Sequence, residues 1–233
     1  MNTPKSISSV MDEWFSNHPN IYKSQLSLLA LTMQDSEETI LSFGTICGIF
    51  EIGLEKEYNI KITNTVGNDP MGIELAKQRG LNAQLIDFKN FDLGNEMYDC
   101  IYLHRTTMFI ENLKYVVSQI HKALKPNGKI VILDIPKESA LGILYTHIKT
   151  IGGWTDELGE NVAPDAPLPY EILQSTYFST VEYKISLLSE LGFSNFSFAQ
   201  TMTKHPRYNE RREEEPSEGY ENGNFIAITA MKK

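Results

Sequence analysis

Cysteine, net positive charge and long apolar runs are all scarce in this chain. Its 233 residues include 2 cysteines, Cys47 and Cys100, which lie far apart in apolar, strand-like contexts. Such a pair predicts buried thiols in a reducing compartment and argues against a disulfide framework. The sequence has no Cys-x-x-Cys motif and no Cys/His cluster, so it predicts no metal site.

The excess of acidic residues argues against nucleic-acid binding. The chain has 30 Asp and Glu residues against 21 Lys and Arg, a formal net charge of −9, and no basic stripe that would displace counterions from phosphates. No segment approaches the run of about 18 apolar residues that a membrane span needs, and the polar N-terminal region does not resemble a secretion signal. We therefore expect a cytoplasmic protein with no nucleic-acid or membrane partner. The sequence does not predict the oligomeric state.

Length and composition favour one α/β domain with an elaboration. Hydrophobic residues make up 41% of the chain and charged residues 22%, as in ordinary globular proteins. We predict a single domain over residues 1–233, composed of an N-terminal helical cap (1–35), a cofactor-binding core (36–135), an inserted lid (136–180), and a C-terminal helix with antiparallel edge strands (181–233).

From Thr39 onward, predicted strands alternate with predicted helices. The strands are Thr39–Phe43, Ile60–Val66, Gln84–Ile86, Tyr98–Leu103 and Lys129–Leu133, and the helices between them are Ile49–Tyr58, Met71–Arg79 and Asn112–Leu124. Repeated β-α-β units imply a doubly wound, mostly parallel sheet with helices on both faces and a ligand site at the carboxyl ends of the strands. The helical pattern of the cap breaks at His18-Pro19, and residues 125–128 (Lys-Pro-Asn-Gly) are typical of a turn.

The alternation ends after residue 135. Residues 136–180 are rich in proline and glycine and predict an irregular insert. A helix over Val181–Leu191 and strands over Asn195–Thr203 and Asn224–Met231 follow, with a charged loop at 205–222. The last two strands form an antiparallel pair at one edge, which gives a seven-stranded sheet.

The turn after the first strand carries an altered glycine motif. Residues 42–48 read Ser-Phe-Gly-Thr-Ile-Cys-Gly, where a nucleotide-binding strand-turn-helix carries an acid followed by Gly-x-Gly-x-Gly. Gly44 and Gly48 are kept, but Ser42 replaces the acid and Ile46 the central glycine. Glycine permits both the sharp turn and a close approach of the backbone to a ligand. Two interpretations stay open. The motif forms a reshaped ligand pocket, or it is an ordinary turn in a protein that no longer binds a nucleotide-type cofactor.

Motifs along nearly the whole chain resemble those of class I S-adenosylmethionine-dependent methyltransferases. The chain is most similar to the type 11 small-molecule branch and, within it, to histamine-type methyltransferases. The matching segments include residues 14–19 (Trp-Phe-Ser-Asn-His-Pro), 72–81 (Gly-Ile-Glu-Leu-Ala-Lys-Gln-Arg-Gly-Leu), 98–99 (Tyr-Asp), 124–129 (Leu-Lys-Pro-Asn-Gly-Lys), 141–145 (Leu-Gly-Ile-Leu-Tyr), 191–193 (Leu-Gly-Phe) and 218–220 (Glu-Gly-Tyr).

The resemblance implies a Rossmann-like methyltransferase fold and S-adenosylmethionine-dependent methyl transfer to a small-molecule acceptor. If the altered motif no longer works, the cofactor is bound weakly or not at all. The implied cofactor contacts are Ser42, Gly44, Thr45, Gly48, Asn68, Asp69, Asp87, Phe88 and Leu103.

The acid expected at the ribose is missing from this chain, whereas the acid expected at the adenine is present. Where the family has an acid for the ribose hydroxyls, this chain has Gly67, so Asp69 would have to reach in; a helix cap before Met71 is the favoured alternative. Asp87 lies twelve residues before Asp99, as expected for the carboxylate that accepts from the adenine amine, and Phe88 would pack on the ring.

Candidate groups for chemistry follow the fourth strand and lie in the lid. His104 is a candidate general base and Arg105 a candidate clamp for an acidic substrate. The aromatic residues and histidine at Tyr145, His147, Trp154 and Tyr170 would line the substrate side, bind a cationic amine through their rings, or form the small apolar core of the lid.

Three functions stay open. The first is an active small-molecule methyltransferase with an unusual cofactor pocket. The second is a catalytically inactive member of the fold that acts as a binding or regulatory partner. The third uses the same pocket for another reaction or another adenosine-type ligand.

Overall fold

One mixed sheet organises the chain, which the computed structural model describes over residues 6–33, 38–163 and 167–233. Residues 1–5 and 34–35 of the predicted helical cap lie outside these ranges. In chain order the strands are β1 (Ile40–Phe43), β2 (Asn64–Gly67), β3 (Ala83–Leu85), β4 (Tyr98–His104), β5 (Leu124–Asp134), β6 (Phe193–Thr201), β7 (Ser217–Glu218) and β8 (Phe225–Lys232).

The strands lie in the order β3-β2-β1-β4-β5-β8-β6-β7. β1 to β5 pair in parallel, whereas β8 runs antiparallel between β5 and β6. The predicted doubly wound α/β class is therefore confirmed, as is the antiparallel pair at one edge. The two-residue β7, which pairs with β6, adds an eighth strand to the predicted seven and comes from the segment predicted as a charged loop.

Helices cover both faces of the sheet. They are α1 (Ile7–Asn17), α2 (Pro19–Thr32), α3 (Ile49–Tyr58), α4 (Pro70–Gln78), α5 (Leu113–Ala123), α6 (Ala140–Ile151), α7 (Asp156–Asn161), α8 (Tyr170–Gln174), α9 (Val181–Glu190) and α10 (Pro206–Arg211), with a 3₁₀ turn at Thr107–Phe109.

Alternation along the central strands produces two apolar cores. On β4, Cys100 and Tyr102 belong to the core under α1, α2, α3 and α6, while Ile101 and Leu103 belong to the core under α5 and α9. Successive strand side chains point to opposite faces, so a strand with helices on both sides buries every residue. Both cysteines are buried, as predicted, and no disulfide joins them.

The helical cap breaks where the sequence predicts. α1 ends before His18, whose Nδ1 lies 2.6 Å from the carbonyl oxygen of Trp14, and Pro19 begins α2. Proline is tolerated at this first helical position because its missing N–H has no partner there. The two helices therefore pack as separate rods over the sheet.

Two predicted irregular segments are regular in the structure. Much of the insert at 136–180 is helical, forming α6, α7 and α8; Ser139 caps α6 by accepting from the Gly142 amide at 3.0 Å. The predicted turn at 125–128 lies inside β5 as a bulge. Tyr98 and Cys100 of β4 pair with Leu124 and Lys129 of β5, so the extra residues loop out, with Asn127 at φ 62°.

Within the described ranges, no helix is long and apolar enough to cross a membrane. No group of three or more His, Cys, Asp or Glu side chains in the described residues is arranged to hold a metal ion.

A buried ion pair joins α9 to the end of β5. The Lys184 ammonium lies 3.3 Å from Oδ2 of Asp134, and both side chains are almost completely buried. The Thr107 hydroxyl also donates to Asp134, and the Ile135 amide donates to its Oδ1 at 3.0 Å. Removing one member of such a pair leaves the other charge buried without compensation.

We expect Lys184→Met to lower the free energy of unfolding by about 3–5 kcal/mol, because it leaves the Asp134 carboxylate buried without its lysine partner. Lys114→Met is the matched control: it removes an ion pair with Glu190 in which both side chains are more than half exposed, and should cost less than about 1 kcal/mol. Urea unfolding measures both. Equal losses in the two variants would contradict the assignment of the buried pair as a structural link.

Candidate active site

The turn between β1 and α3 is built by two glycines that the backbone requires. Gly44 has φ +88° and Gly48 φ +84°, a region that side chains rarely adopt. A Cβ at Gly44 would also lie 2.1 Å from Cγ2 of Thr106. The amides of Gly44 and Thr45 both donate to the Val66 carbonyl, at 2.7 and 2.9 Å. These contacts hold the turn against the end of β2.

Ile46 does not strain this turn. It is absent from the positive-φ positions, so its backbone accepts a side chain, and it is half-buried against the core. Its carbonyl oxygen lies 2.2 Å from where a Cβ would stand at Gly72, so α4 packs closely on the loop. The side chain lines two neighbouring cavities. Ile46 therefore changes the space available to a ligand and leaves the fold of the turn intact.

The end of β2 has no room for an acid. A Cβ at Gly67 would lie 2.9 Å from the carbonyl oxygen of Thr45. Asp69 caps α4, as the favoured interpretation predicts: its Oδ1 accepts from the Met71 amide and its Oδ2 from the Ser8 amide, both at 3.2 Å. Both carboxylate oxygens are thus engaged by backbone. A contact from Asp69 to a ribose stays a prediction.

The loop after β3 presents the predicted adenine contacts. Asp87 is exposed, and its Oδ1 accepts from the Lys89 amide at 2.9 Å. Phe88 is buried and stacks on Phe43, with ring centroids 4.9 Å apart. Leu103 is fully buried in the core below and lines neither cavity of the groove, so its contact with a ligand stays a prediction.

Two adjoining cavities, together called the groove below, lie among these elements. A cavity of about 420 Å³ is lined by the turn at 44–46, the N-terminus of α1, Asp69 and Arg105. A second, of about 760 Å³, is lined by Asp87 and the start of α5. The two share Asn68, Phe88 and Phe109. The predicted contacts Gly44, Thr45, Asn68, Asp69, Asp87 and Phe88 therefore lie along one groove at the carboxyl ends of the strands.

A carboxylate that sequence reasoning missed lies beneath the turn. Glu51, in the first turn of α3, is 4% exposed, and the Ser42 hydroxyl donates to its Oε1 at 2.5 Å. Ser42 occupies the position of the missing motif acid, so the acid reaches this place from the helix. The signal in the sequence was a glutamate nine residues after Ser42, on an otherwise apolar helix face.

The two candidate catalytic residues are buried. His104 Nε2 donates to Oε1 of Gln25 at 3.1 Å, because an amide oxygen can only accept, and the ring packs edge-on against Phe50. Burial, aided by the charge of Arg105, holds the pKa of His104 well below its usual range. The ring is therefore neutral at neutral pH, with Nδ1 as its acceptor atom. A role as general base stays a prediction.

Arg105 is held in an unusual position. Its backbone is left-handed, with φ 54°, and its amide donates to the Leu133 carbonyl at 2.8 Å. The guanidinium lies over the rings of Phe15 and Phe225, 5.4 and 5.3 Å from their centroids. It lines the 420 Å³ cavity. Burial lowers the pKa of Arg105, while Tyr145 and Asp134 oppose that shift.

The aromatic residues of the predicted lid, Tyr145, Trp154 and Tyr170, belong to one apolar core. Tyr145 packs edge-on against Trp154, with centroids 6.3 Å apart, and the Trp154 indole donates to the Leu168 carbonyl at 2.8 Å. Tyr170 packs against the same core. Burial raises the pKa of Tyr145 to about 12, so its hydroxyl stays protonated. His147 is exposed on α6 and is not brought together with the others.

We expect the low pKa of His104 to make stability depend on pH. The unfolded chain takes up this proton near pH 6.5 and the folded chain only at lower pH, so stability falls as the pH drops below about 6.5, by at most about 1.4 kcal/mol per pH unit. Urea unfolding at several pH values between 5 and 7.5 measures this dependence. The free energy of unfolding should change less steeply with pH in His104→Gln than in the unsubstituted protein. Identical slopes would contradict a buried, neutral imidazole.

Comparison with known proteins identifies the family to which this chain belongs. Residues 16–193 match the family described as a methyltransferase domain. A possible histamine N-methyltransferase of Thermotoga maritima, titled an SAM-dependent methyltransferase, superposes with a TM-score of 0.76 and 25% identity over 96% of this chain and 95% of that one.

Two further relatives extend the comparison. An uncharacterised protein of Methanocaldococcus jannaschii is 26% identical over 100% of both chains. The plantazolicin methyltransferase BpumL, solved with S-adenosylhomocysteine, shares the fold at 14% identity and a TM-score of 0.59, over 96% of this chain and 90% of that one. The chain therefore belongs to the methyltransferase domain family and has the class I S-adenosylmethionine-dependent methyltransferase fold.

Proposed function

We propose that this protein transfers a methyl group from S-adenosylmethionine to a small-molecule acceptor. The observation that carries the proposal is the groove, whose two adjoining cavities extend from the turn at 44–46 to Asp87. Its residues fit the cofactor: Asp87 is an exposed acceptor at one end, Phe88 offers a ring beside it, and the backbone of the turn lines the other end. The replaced motif positions do not require loss of binding, because Ile46 and Gly67 are each accommodated by local packing.

The bound cofactor would supply a methyl group already activated on a sulfonium. The chain then has to position the acceptor and exclude water, with a base needed only when the attacking atom carries a proton. His104 lies at the end of β4 with a neutral ring, and it lines the small cavity under the turn. Its Nδ1 is the atom that would accept a proton. The lid cluster of Tyr145, Trp154 and Tyr170 would cover the acceptor side.

Isothermal titration calorimetry with S-adenosylhomocysteine tests cofactor binding. We expect micromolar binding and a loss of about tenfold or more in Asp87→Ala, which removes a charged hydrogen-bond acceptor. Asp92→Ala is the matched control, since Asp92 is an exposed acid of the same loop, beyond the residues that line the groove. Absence of binding in the unsubstituted protein would favour the inactive, partner-binding alternative.

We also propose that the acceptor carries an acid group. Arg105 makes no side-chain hydrogen bond with any described residue, and it lines the cavity with Thr106 and Ser175. Asp134 faces both Lys184 and Arg105, so the buried charges sum to one excess cation. A carboxylate or phosphate would balance that cation, whereas a protonated amine would be repelled by it.

Methyl transfer to matched pairs of small carboxylic acids and their amides tests the acceptor class. We expect the acids to be preferred, and Arg105→Gln to raise their KM by about ten- to hundredfold while leaving the Kd of S-adenosylhomocysteine unchanged. Arg105→Lys keeps the charge and should retain part of the preference. Preferential methylation of amides or amines would contradict the acidic acceptor.

A further inference from the structure

The missing motif acid has a counterpart on α3. Glu51 is the third residue of that helix, and helical side chains lean toward the N-terminus of their helix. This lean carries its carboxylate back beneath the turn to Ser42, whose hydroxyl donates to Oε1 at 2.5 Å. The helix therefore places a carboxylate where β1 carries a hydroxyl.

The carboxylate of Glu51 lacks a positive partner. It is buried, and it forms no ion pair with any residue in the described ranges. The Tyr102 hydroxyl beside it is equally buried and interacts with both Ser42 and Glu51, although no described residue meets it in good hydrogen-bond geometry. Burial and the nearby charge of Glu51 raise the pKa of Tyr102 well above its usual range. One hydroxyl donor from Ser42 offsets only part of the cost of burying a carboxylate, so Glu51 keeps acceptor capacity for a cationic donor.

The space beside these groups suits a small cation. A cavity of about 10 Å³ is lined by Ser42, Glu51, Tyr102, His104 and the turn at 44–48. That is room for about one water molecule, which an ammonium group matches in size. The small cavity and the 420 Å³ cavity share Gly44, Thr45 and Ile46 as walls. The turn at 44–46 therefore lies between the two cavities, and the small one has room only for a terminal group of a ligand in the groove.

We propose that Glu51 binds the ammonium group of the methionine portion of S-adenosylmethionine. An ammonium has three donors, of which the Glu51 carboxylate and the Tyr102 oxygen accept two. The sulfonium of the same ligand has no hydrogen to donate, which leaves the ammonium as the matching cation. This inference rests on the proposed function, because it assumes that the groove holds the cofactor.

Calorimetry with two ligands tests the assignment. S-adenosylhomocysteine carries the ammonium, and 5′-methylthioadenosine keeps the adenosine but lacks the amino-acid portion. We expect Glu51→Gln to raise the Kd of S-adenosylhomocysteine by about ten- to hundredfold and the Kd of 5′-methylthioadenosine by less than about twofold. The reason is that a charge-assisted hydrogen bond is lost only with S-adenosylhomocysteine. Glu55→Gln, an exposed acid on the same helix, is the control and should change neither.

A second variant separates binding from folding. Ser42→Asp in the Glu51→Gln background returns a carboxylate to the strand side of the same contact. We expect it to recover most of the affinity for S-adenosylhomocysteine, which a purely structural role of Glu51 would not produce. Thermal unfolding without ligand shows whether each variant is folded.

The outcomes separate the two proposals. If the unsubstituted protein binds neither ligand, the proposed function fails and this inference fails with it. If the unsubstituted protein binds S-adenosylhomocysteine and Glu51→Gln binds it equally well, only the role of Glu51 is overturned. An equal loss for both ligands, without rescue by Ser42→Asp, would also overturn it and would make Glu51 a support of the turn.

Discussion

One backbone carbonyl group holds the turn around which the candidate site is built. The Val66 oxygen, at the end of β2, accepts from the amides of both Gly44 and Thr45, and so presses the turn after β1 against the neighbouring strand. From the other side, Thr106 leaves no space for a side chain at Gly44. The groove, the start of α3 and the buried carboxylate of Glu51 all take their places from this turn. Because the contacts are internal, they require Gly44 and Gly48 whatever ligand the protein binds.

This constraint divides the glycine motif into two kinds of position. Gly44 and Gly48 have positive φ and close neighbours, so the fold itself requires glycine. The central position has neither constraint, and Ile46 can therefore project into the space between the cavities. At the end of β2, by contrast, the packing requires glycine. A side chain at Gly67 would collide with the Thr45 carbonyl oxygen, which excludes an acid there. The replacements in the motif are thus compatible with the packing around the turn, and a reshaped cofactor pocket stays a prediction.

Buried charges of opposite sign lie on either side of this turn. Glu51 lies beneath it without an ion-pair partner among the described residues, and Arg105 lies beside it between two aromatic rings. Burying either charge costs free energy unless a partner arrives. A fold that keeps both charges at the carboxyl ends of its strands is prepared for a ligand that carries charges of its own.

The sequence predicted the features that periodicity and local chemistry control. Alternating strands and helices, the break at His18 and the Asp69 cap all depend on neighbouring residues, and all are confirmed. Of the helices in the insert, α7 and α8 were missed because they have only 6 and 5 residues, too few to show a helical period. The 12-residue α6 was missed because the prolines and glycines around it are typical of irregular structure. The β5 bulge was missed because its Asn-Gly pair is equally typical of a chain-reversing turn.

The site itself was only partly predictable. Gly44, Asp87 and Phe88 follow strand ends, so their meeting in one groove follows from the parallel sheet. The role of Glu51 depends on the direction in which a helix side chain leans and on the burial of Ser42, and neither is encoded in a motif. The exposure of His147 and the burial of Leu103 likewise depend on packing that only the assembled fold determines.

A crystal structure of the protein grown with S-adenosylhomocysteine tests the account most directly. We expect the adenine beside Asp87 and Phe88 and the ammonium within about 3 Å of the Glu51 carboxylate. A ligand bound outside the groove, or one whose amino-acid portion points into solvent away from Glu51, would contradict it.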